Sequence, residues 1–202
     1  MSNFINHCKT VRKHRKYVRK MCWKLGLLWQ GLTHDLSKYS ITELKICKYY
    51  TGTCSPHEEC RRQLGYSPVW MHHYMHNKHH FQHYRDDDDK TGAIIPIKMP
   101  FKYVLEMFCD RIAASKTYAE NAGNVFKPNM PYQYYLDRCR GKDKMHNETE
   151  ILLAFLLQFL ALNGENYTFI FIKNNKRALE EAYVNSKDLS KALYNIKMEA
   201  IL

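Results

Sequence analysis

A chain of 202 residues that is 45% hydrophobic and 25% charged, with only 8 Gly and 6 Pro, is long enough for one core-forming domain. Its composition excludes collagen-like, mucin-like and wholly disordered classes. The formal charge of +11 is unevenly spread. Lys9, Arg12, Lys13, Arg15, Lys16, Arg19, Lys20 and Lys24 meet no acid in the first 24 residues, leaving only +3 for the rest. Such a segment suits an anionic partner (a phosphate ester, a nucleic acid or an acidic surface) or forms a solvated helix face. The 7 Cys are odd in number and include no C-x-x-C, so free thiols in a reducing compartment are expected. Met1-Ser2-Asn3-Phe4 lacks a signal-peptide layout, and the longest apolar run, Ile151 to Leu162, is too short to span a bilayer. The expectation is a soluble, cytoplasmic protein.

In chain order, Phe4, Cys8, Val11, Val18, Cys22 and Leu25 recur at helical spacing and predict a helix over 3–25, ended by Gly26, with His14 at the edge of its apolar stripe. A short segment, 27–38, carries His34-Asp35. Ser40 and Glu43 form a capping box that opens a helix to about Tyr50. Turn formers make 51–67 a loop, and Ser67-Pro68 starts a helix bearing the histidines from 72 to 83. Residues 86–92 read as an exposed loop, with the four aspartates 86–89 solvated, and Met99-Pro100 opens a helix to about Lys116. A loop at 121–131, a helix over 148–162 capped by Asn147, a short strand at Thr168–Ile172 and an amphipathic helix over 175–200 complete the chain. The fold expected is all-α, a bundle of about six to eight helices, with a domain over 1–163 and a helical C-terminal extension over 164–202.

Three features carry chemistry. Six of the eleven His fall at 72, 73, 76, 79, 80 and 83. On a continuous helix, His72, His76, His79 and His83 would share one face, and imidazoles at i and i+4 can reach one metal ion. A polar surface cluster is the bland alternative. His34-Asp35-Leu36-Ser37-Lys38 sits at a helix end, where both side chains can turn into one cavity; a helix cap at Asp35 is the simpler reading. Asp110 lies in a row with Tyr103, Met107 and Ala114, opposite a second apolar row, so it is buried and needs a cation or a donor: metal ligation or an internal salt bridge.

His14, His34-Asp35, a histidine-rich helix and Asp110 together resemble the HD-domain superfamily of metal-dependent phosphohydrolases. His34-Asp35-Leu36-Ser37-Lys38 looks like the HD-x-[GS]-K form of its two-metal members, and His79-His80 like their paired histidines. The stretch Trp29 to Lys38, with His73, Asn77, His79-His80 and Tyr134-Tyr135 to Lys144, is similar to DUF5662, a family of bacterial and viral proteins of unknown function. The resemblance covers about 10–160, and a viral member would act in the host cytoplasm. It implies a first divalent transition-metal ion (Mn, Fe, Co, Ni or Zn) on His14, His34, Asp35 and Asp110. A second ion would use Asp35 as a bridge with His73, His79 and His80, with His72 as substitute. Phe81 stands where two-metal members often carry an acid, so the count is one or two ions.

The reaction implied is hydrolysis of a phosphate ester of a nucleotide or nucleotide-derived small molecule by a metal-activated water. Lys38 would neutralise phosphoryl charge and His76 or His72 would donate a proton to the leaving oxygen; Arg15, Lys116 and Lys144 are candidates for further phosphate contacts, and Tyr134 and Tyr135 for base stacking or packing. The competing readings are a nucleic-acid binder using the first helix, a di-iron HD-like oxygenase, and a domain that sequesters a nucleotide without cleaving it. No membrane partner is expected, and no oligomeric state follows.

Overall fold

The computed structural model describes residues 3–142 and 144–200. Met1 and Ser2, on which part of the signal-peptide reading rests, lie outside them. Ten α-helices, short 3-10 turns and one small hairpin make up the described residues, so the molecule is all-α. Helix α1 (Asn3–Lys24) buries His7, Thr10, Val11, His14, Val18, Met21 and Cys22, one face at helical spacing. It ends as the spacing predicts. Gly26 takes φ +69°, its N–H bonds Trp23 O and Leu27 N–H bonds Cys22 O, the paired bonds of a Schellman stop.

α1 packs on α6 (Phe101–Asn121) and on the short α2 (Leu28–Thr33). α6 is the central helix: Val104, Leu105, Phe108 and Ile112 of the first predicted row are wholly buried, as are Cys109 and Ala113 beside it, whereas of the second row only Met107 is buried and Tyr103, Asp110 and Ala114 are partly so. The close approach of α2 to α1 depends on Gly31, where a Cβ would lie 3.0 Å from Cys22 Cβ and 3.2 Å from Arg19 Cα. α7 (Met130–Arg138) and the long α8 (Asn147–Asn174) close the core with Leu152, Leu153, Leu156, Leu157 and Leu160. α9 (Lys176–Asn185) and α10 (Leu189–Glu199) add Leu179, Tyr183, Leu193 and Ile196 to the same cluster. The Tyr183 hydroxyl donates to Met99 O at 2.7 Å and lies 2.9 Å from Thr149 Oγ1.

Several expectations are corrected. Thr168–Ile172 is helical, not a strand: α8 breaks at Gly164 (φ 77°, ψ 171°) and resumes. Phe171 then stacks on Phe159 at 4.2 Å, so packing overrides the β-branched and aromatic preference. The last helix is two, interrupted at 186–188. Strands β1 (Arg85–Asp87) and β2 (Ile94–Pro96) pair antiparallel where a loop was expected, with Arg85 opposite Pro96 and Asp87 opposite Ile94. The expected loop 51–67 contains α4 (Pro56–Leu64), whose Pro at the start, Glu58 and Glu59 in the first turn, Arg61 and Arg62 in the last and left-handed Gly65 are ordinary helix punctuation. The histidine helix is short: α5 (Trp70–His76) stops at Asn77, which turns extended (φ −127°, ψ 97°). The helix from Ser40 is likewise only α3 (Ile41–Leu44), followed by a 3-10 turn over Lys45–Tyr49.

Replacing Gly31 by Val forces α2 off α1. The expected cost is about 1–3 kcal/mol of unfolding free energy, read from the urea midpoint of the variant against the parent chain.

Candidate metal centre

The centre forms where α1, α5, α6 and the segment after α2 meet, and its key residue is in an unusual backbone state. Asp35 has φ 54° and ψ 25°, the single non-glycine residue with positive φ among the described residues. A left-handed Asp costs conformational energy and marks a functional position when its surroundings hold it there. The helix-cap reading fails: the Asp35 side chain caps no backbone N–H. Instead the left-handed turn swings the carboxylate inward, 1% exposed, between two groups of histidines.

On one side, His14 Nε2 lies 2.9 Å from Asp110 Oδ1 and 3.7 Å from Asp35 Oδ2. His34 Nε2 lies 3.4 Å from Asp35 Oδ2, 3.5 Å from Asp110 Oδ1 and 3.3 Å from His14 Nε2. On the other side, Asp35 Oδ1 lies 3.5 Å from His73 Nε2 and 3.6 Å from His79 Nε2, and the Nε2 atoms of His80 and His73 are 2.8 Å apart. Donors bound at about 2.1 Å to one ion are separated by about 3.0 Å at right angles and about 3.4 Å at tetrahedral angles. The donor atoms of each group, His14-His34-Asp35-Asp110 and Asp35-His73-His79-His80, all lie within 4.8 Å of one another, near that spacing, and could hold a metal ion.

The residues fit an ion on independent grounds. Asp35 Oδ1 and His79 Nε2 are buried and have no hydrogen-bond partner, a costly state for polar atoms unless a cation satisfies them. The ring nitrogens facing away from the centre are tied down. Glu106 Oε1 accepts from His34 Nδ1 at 2.9 Å and lies 3.2 Å from His79 Nδ1, while Glu43 Oε2 accepts from His73 Nδ1 at 2.7 Å. A carboxylate on Nδ1 fixes the tautomer that leaves Nε2 free to ligate. Burial pushes the His14, His73 and His80 imidazoles below their usual pKa despite nearby carboxylates, keeping them neutral. Burial opposes charge on Asp35 and Asp110 too. The surrounding histidines, with Lys38 beside Asp35, outweigh it and hold both carboxyls well below the ordinary range. His34, against burial, is held well above its usual value by Asp35, Asp110 and Glu106.

Around this centre, Lys38 Nζ contacts Asp35 Oδ2 at 2.6 Å and stays partly exposed. Burial disfavours its charge, but Asp35 and the neighbouring anionic groups raise its pKa. A cavity of ≈ 30 Å³, room for about one water, lies against His7, His14, Lys38, Glu43 and His57. Asn77 donates to His73 O at 2.7 Å and to Ser37 Oγ at 2.6 Å. That bond pair ends α5 and turns His79 and His80 inward from a bend, so the predicted four-histidine face does not exist. Of its members, His79 faces the centre and His83 Nδ1 bonds Tyr74 O. His72 bonds Glu43 Oε1 at 3.0 Å, and exposed His76 stacks on His72 with Nδ1 on His72 O. Neither belongs to either donor group, so the expected proton-donor role of His72 and His76 and the substitution of His72 for His73 have no geometric support.

The phosphate candidates also move. Arg15 Nε and one terminal nitrogen donate to His34 O at 2.7 Å and Leu32 O at 3.1 Å, closing the end of α2. Lys116 is paired with Glu165 and lies over the Tyr17 ring. Lys144 is exposed in the α7–α8 connection. Tyr135 is buried, its hydroxyl donating to Glu150 at 2.8 Å, while Tyr134 is half exposed. The residues missed were Glu106, Glu43 and His57. Glu106 is four residues before Asp110 and so on the same helix face, a signal present in the sequence. Glu43 was assigned to the capping box; Ser40 Oγ does accept from Glu43 N–H at 3.2 Å, but the carboxylate reaches back to the histidines instead. Those histidines hold its pKa down at about 2, against the opposing effect of burial. His57, buried beside His73 with Nδ1 on Ser67 Oγ at 2.8 Å, is pushed down to about 2 by burial, with His73 and Lys38 adding to the effect.

Asp35→Asn removes the shared ligand and abolishes stoichiometric metal uptake at both groups. Glu106→Gln frees two imidazoles to turn and weakens uptake by about 10–100-fold. Elemental analysis and competition titration of the purified variants measure both; unchanged metal content in Asp35→Asn would exclude the centre.

No helix among the described residues is long and apolar enough to cross a membrane. No curated protein matches the chain, and no solved structure does. One family model matches residues 3–159, a span holding every donor of both groups and both supporting glutamates. With most of its length matched, the chain belongs to the family of unknown function DUF5662.

Proposed function

We propose that the chain is a metal-dependent phosphohydrolase of the HD-domain type, acting on a nucleotide or a nucleotide-derived phosphate ester. The observation that carries this reading is the division of Asp35: Oδ2 faces His14 and His34, Oδ1 faces His73 and His79. A buried carboxylate shared between two nitrogen-rich groups is suited to a pair of divalent ions about 3.5–4 Å apart, a spacing used for phosphoryl chemistry. Divalent ions bound there supply Lewis acidity, hydroxide at neutral pH and positive charge against phosphoryl oxygens.

The remaining steps belong to the chain. Asp35, Asp110 and the five imidazoles set the positions of the positive charge within a shell that is nearly closed to solvent. Glu106 and Glu43 hold three of those imidazoles in one orientation, so no side chain needs to reorganise as charge develops on the substrate. Lys38, charged and 22% exposed, is the one ammonium group paired with Asp35 among the described residues. It binds a phosphoryl oxygen from the solvent side. The all-helical fold of the described residues, with ten α-helices where six to eight were expected, and the His-Asp segment at a helix end support this reading. The nucleotide as substrate rests on the resemblance of the motif, an analogy.

A carboxylate bridge of this kind also suits two irons that activate O₂, and the same experiment separates the two. The purified chain, loaded in turn with Mn²⁺, Fe²⁺, Co²⁺ or Ni²⁺, is expected under anaerobic conditions to release inorganic phosphate and the nucleoside from mononucleotides, or the linear dinucleotide or mononucleotides from cyclic dinucleotides. Lys38→Ala lowers the rate by about 10–100-fold with metal content unchanged, and Asp35→Asn removes the activity. Turnover that requires O₂ in the iron-loaded chain, with no hydrolysis product of either substrate type under argon, would favour the oxidative alternative and end the hydrolytic one.

A further inference from the structure

The basic first helix does more than carry His14. A groove of ≈ 760 Å³ runs between α1 and the segment beginning with α2, lined by six cations from Lys9 to Arg19 together with Gly31 and Tyr39, and by no acid. Two of the cations serve as walls: Lys13 pairs with Glu120 at 2.6 Å and Arg15 holds the carbonyls of His34 and Leu32. Arg12, Lys16 and Arg19 are exposed and make no ion pair or side-chain hydrogen bond among the described residues. Their i, i+4, i+7 spacing sets them in one row along about 10 Å of helix. None of the three belongs to either metal-donor group.

From this groove we infer a binding site for single-stranded nucleic acid, entered by the sugar–phosphate backbone. A lone phosphate needs one or two of these cations, whereas three in a row match a row of regularly spaced anions. Tyr39, 39% exposed at the groove wall with the Arg15 guanidinium 5.4 Å from its ring centre, is a platform on which a base can stack. The cations line a recess rather than a convex face, a shape that a flexible strand follows and that a rigid duplex or a flat bilayer does not. Gly31 lies at the floor of the recess: without a side chain it lets α2 rest directly on Arg19 and Cys22. The site is independent of the hydrolytic reading, and it stands whether or not the metal centre cleaves phosphate esters.

The test is fluorescence anisotropy of labelled twelve-nucleotide dT and rU strands with the full chain, with and without EDTA. Engagement of three phosphates gives a slope of about −2 in log affinity against log salt, and so about a 15–20-fold loss between 50 and 200 mM. The triple variant Arg12→Glu, Lys16→Glu, Arg19→Glu loses binding by at least tenfold, and Tyr39→Ala loses about tenfold. A charge-matched control with Lys173, Arg177 and Lys187 changed to Glu binds as the parent does. Asp35→Asn keeps strand binding even where it loses hydrolysis, which separates this inference from the preceding one. Equal losses in the control and the groove variant would overturn the site, because net charge alone would then account for binding. So would binding to phosphatidylserine vesicles or to duplex without binding to the single strands.

Discussion

A carboxylate buried inside a helical shell must be compensated, and in this protein the compensation organises everything nearby. Asp35 is almost completely shielded and held in a left-handed backbone state, and one of its oxygens lacks any hydrogen-bond donor. Four imidazoles converge on it from α1, the end of α2, α5 and the turn after α5. The Lys38 ammonium, 2.6 Å from the same carboxylate, completes the compensation; a charge buried with nothing to neutralise it would cost several kcal/mol. The polar centre and the leucine-rich core therefore constrain each other: the core excludes water from Asp35, and the charged centre sets where α1, α5 and α6 must cross.

The supporting layer follows the same logic. Glu106 and Glu43 are buried acids whose partners are imidazole N–H groups. Each converts a freely rotating ring into a directed donor. Asn77 performs the analogous task for the backbone, because its amide links the end of α5 to Ser37 in the His-Asp segment. Two stretches some forty residues apart in the chain are thereby locked to one another before any ligand is considered.

Much of this is legible in the sequence because polar residues in apolar helices are conspicuous. His14 on the edge of an apolar stripe and Asp110 in a row with Tyr103, Met107 and Ala114 stand out as polar residues among apolar ones, and the structure places both beside His34 and Asp35, His14 buried and Asp110 partly so. What the pattern hides is direction. His72 and His73 are adjacent in sequence, and only Asn77 decides that His73 faces inward while the helix stops before His79. The α4 helix was obscured by the Thr, Gly, Cys and Ser residues that precede it, although Ser55-Pro56 and Gly65 bracket it correctly. Glu43 satisfied a capping rule so well that its second task was invisible. Arg15 and Lys116 show the converse error: a cation near a phosphate-binding motif was read as a ligand contact when carbonyl oxygens and Glu165 already hold it.

The Tyr183 hydroxyl reaches Met99 O and Thr149 Oγ1 from a helix beyond the matched family segment. Met99 lies two residues before Phe101, the first residue of the helix that carries Glu106 and Asp110, so this phenol anchors the start of a lever whose later turns bear two of the acids of the centre. Relatives that lack an equivalent of α9 must fill that buried gap with some other hydroxyl or a water. Divergence in the C-terminal helices is thus felt first as altered stiffness under the acids, without any change in the ligands themselves.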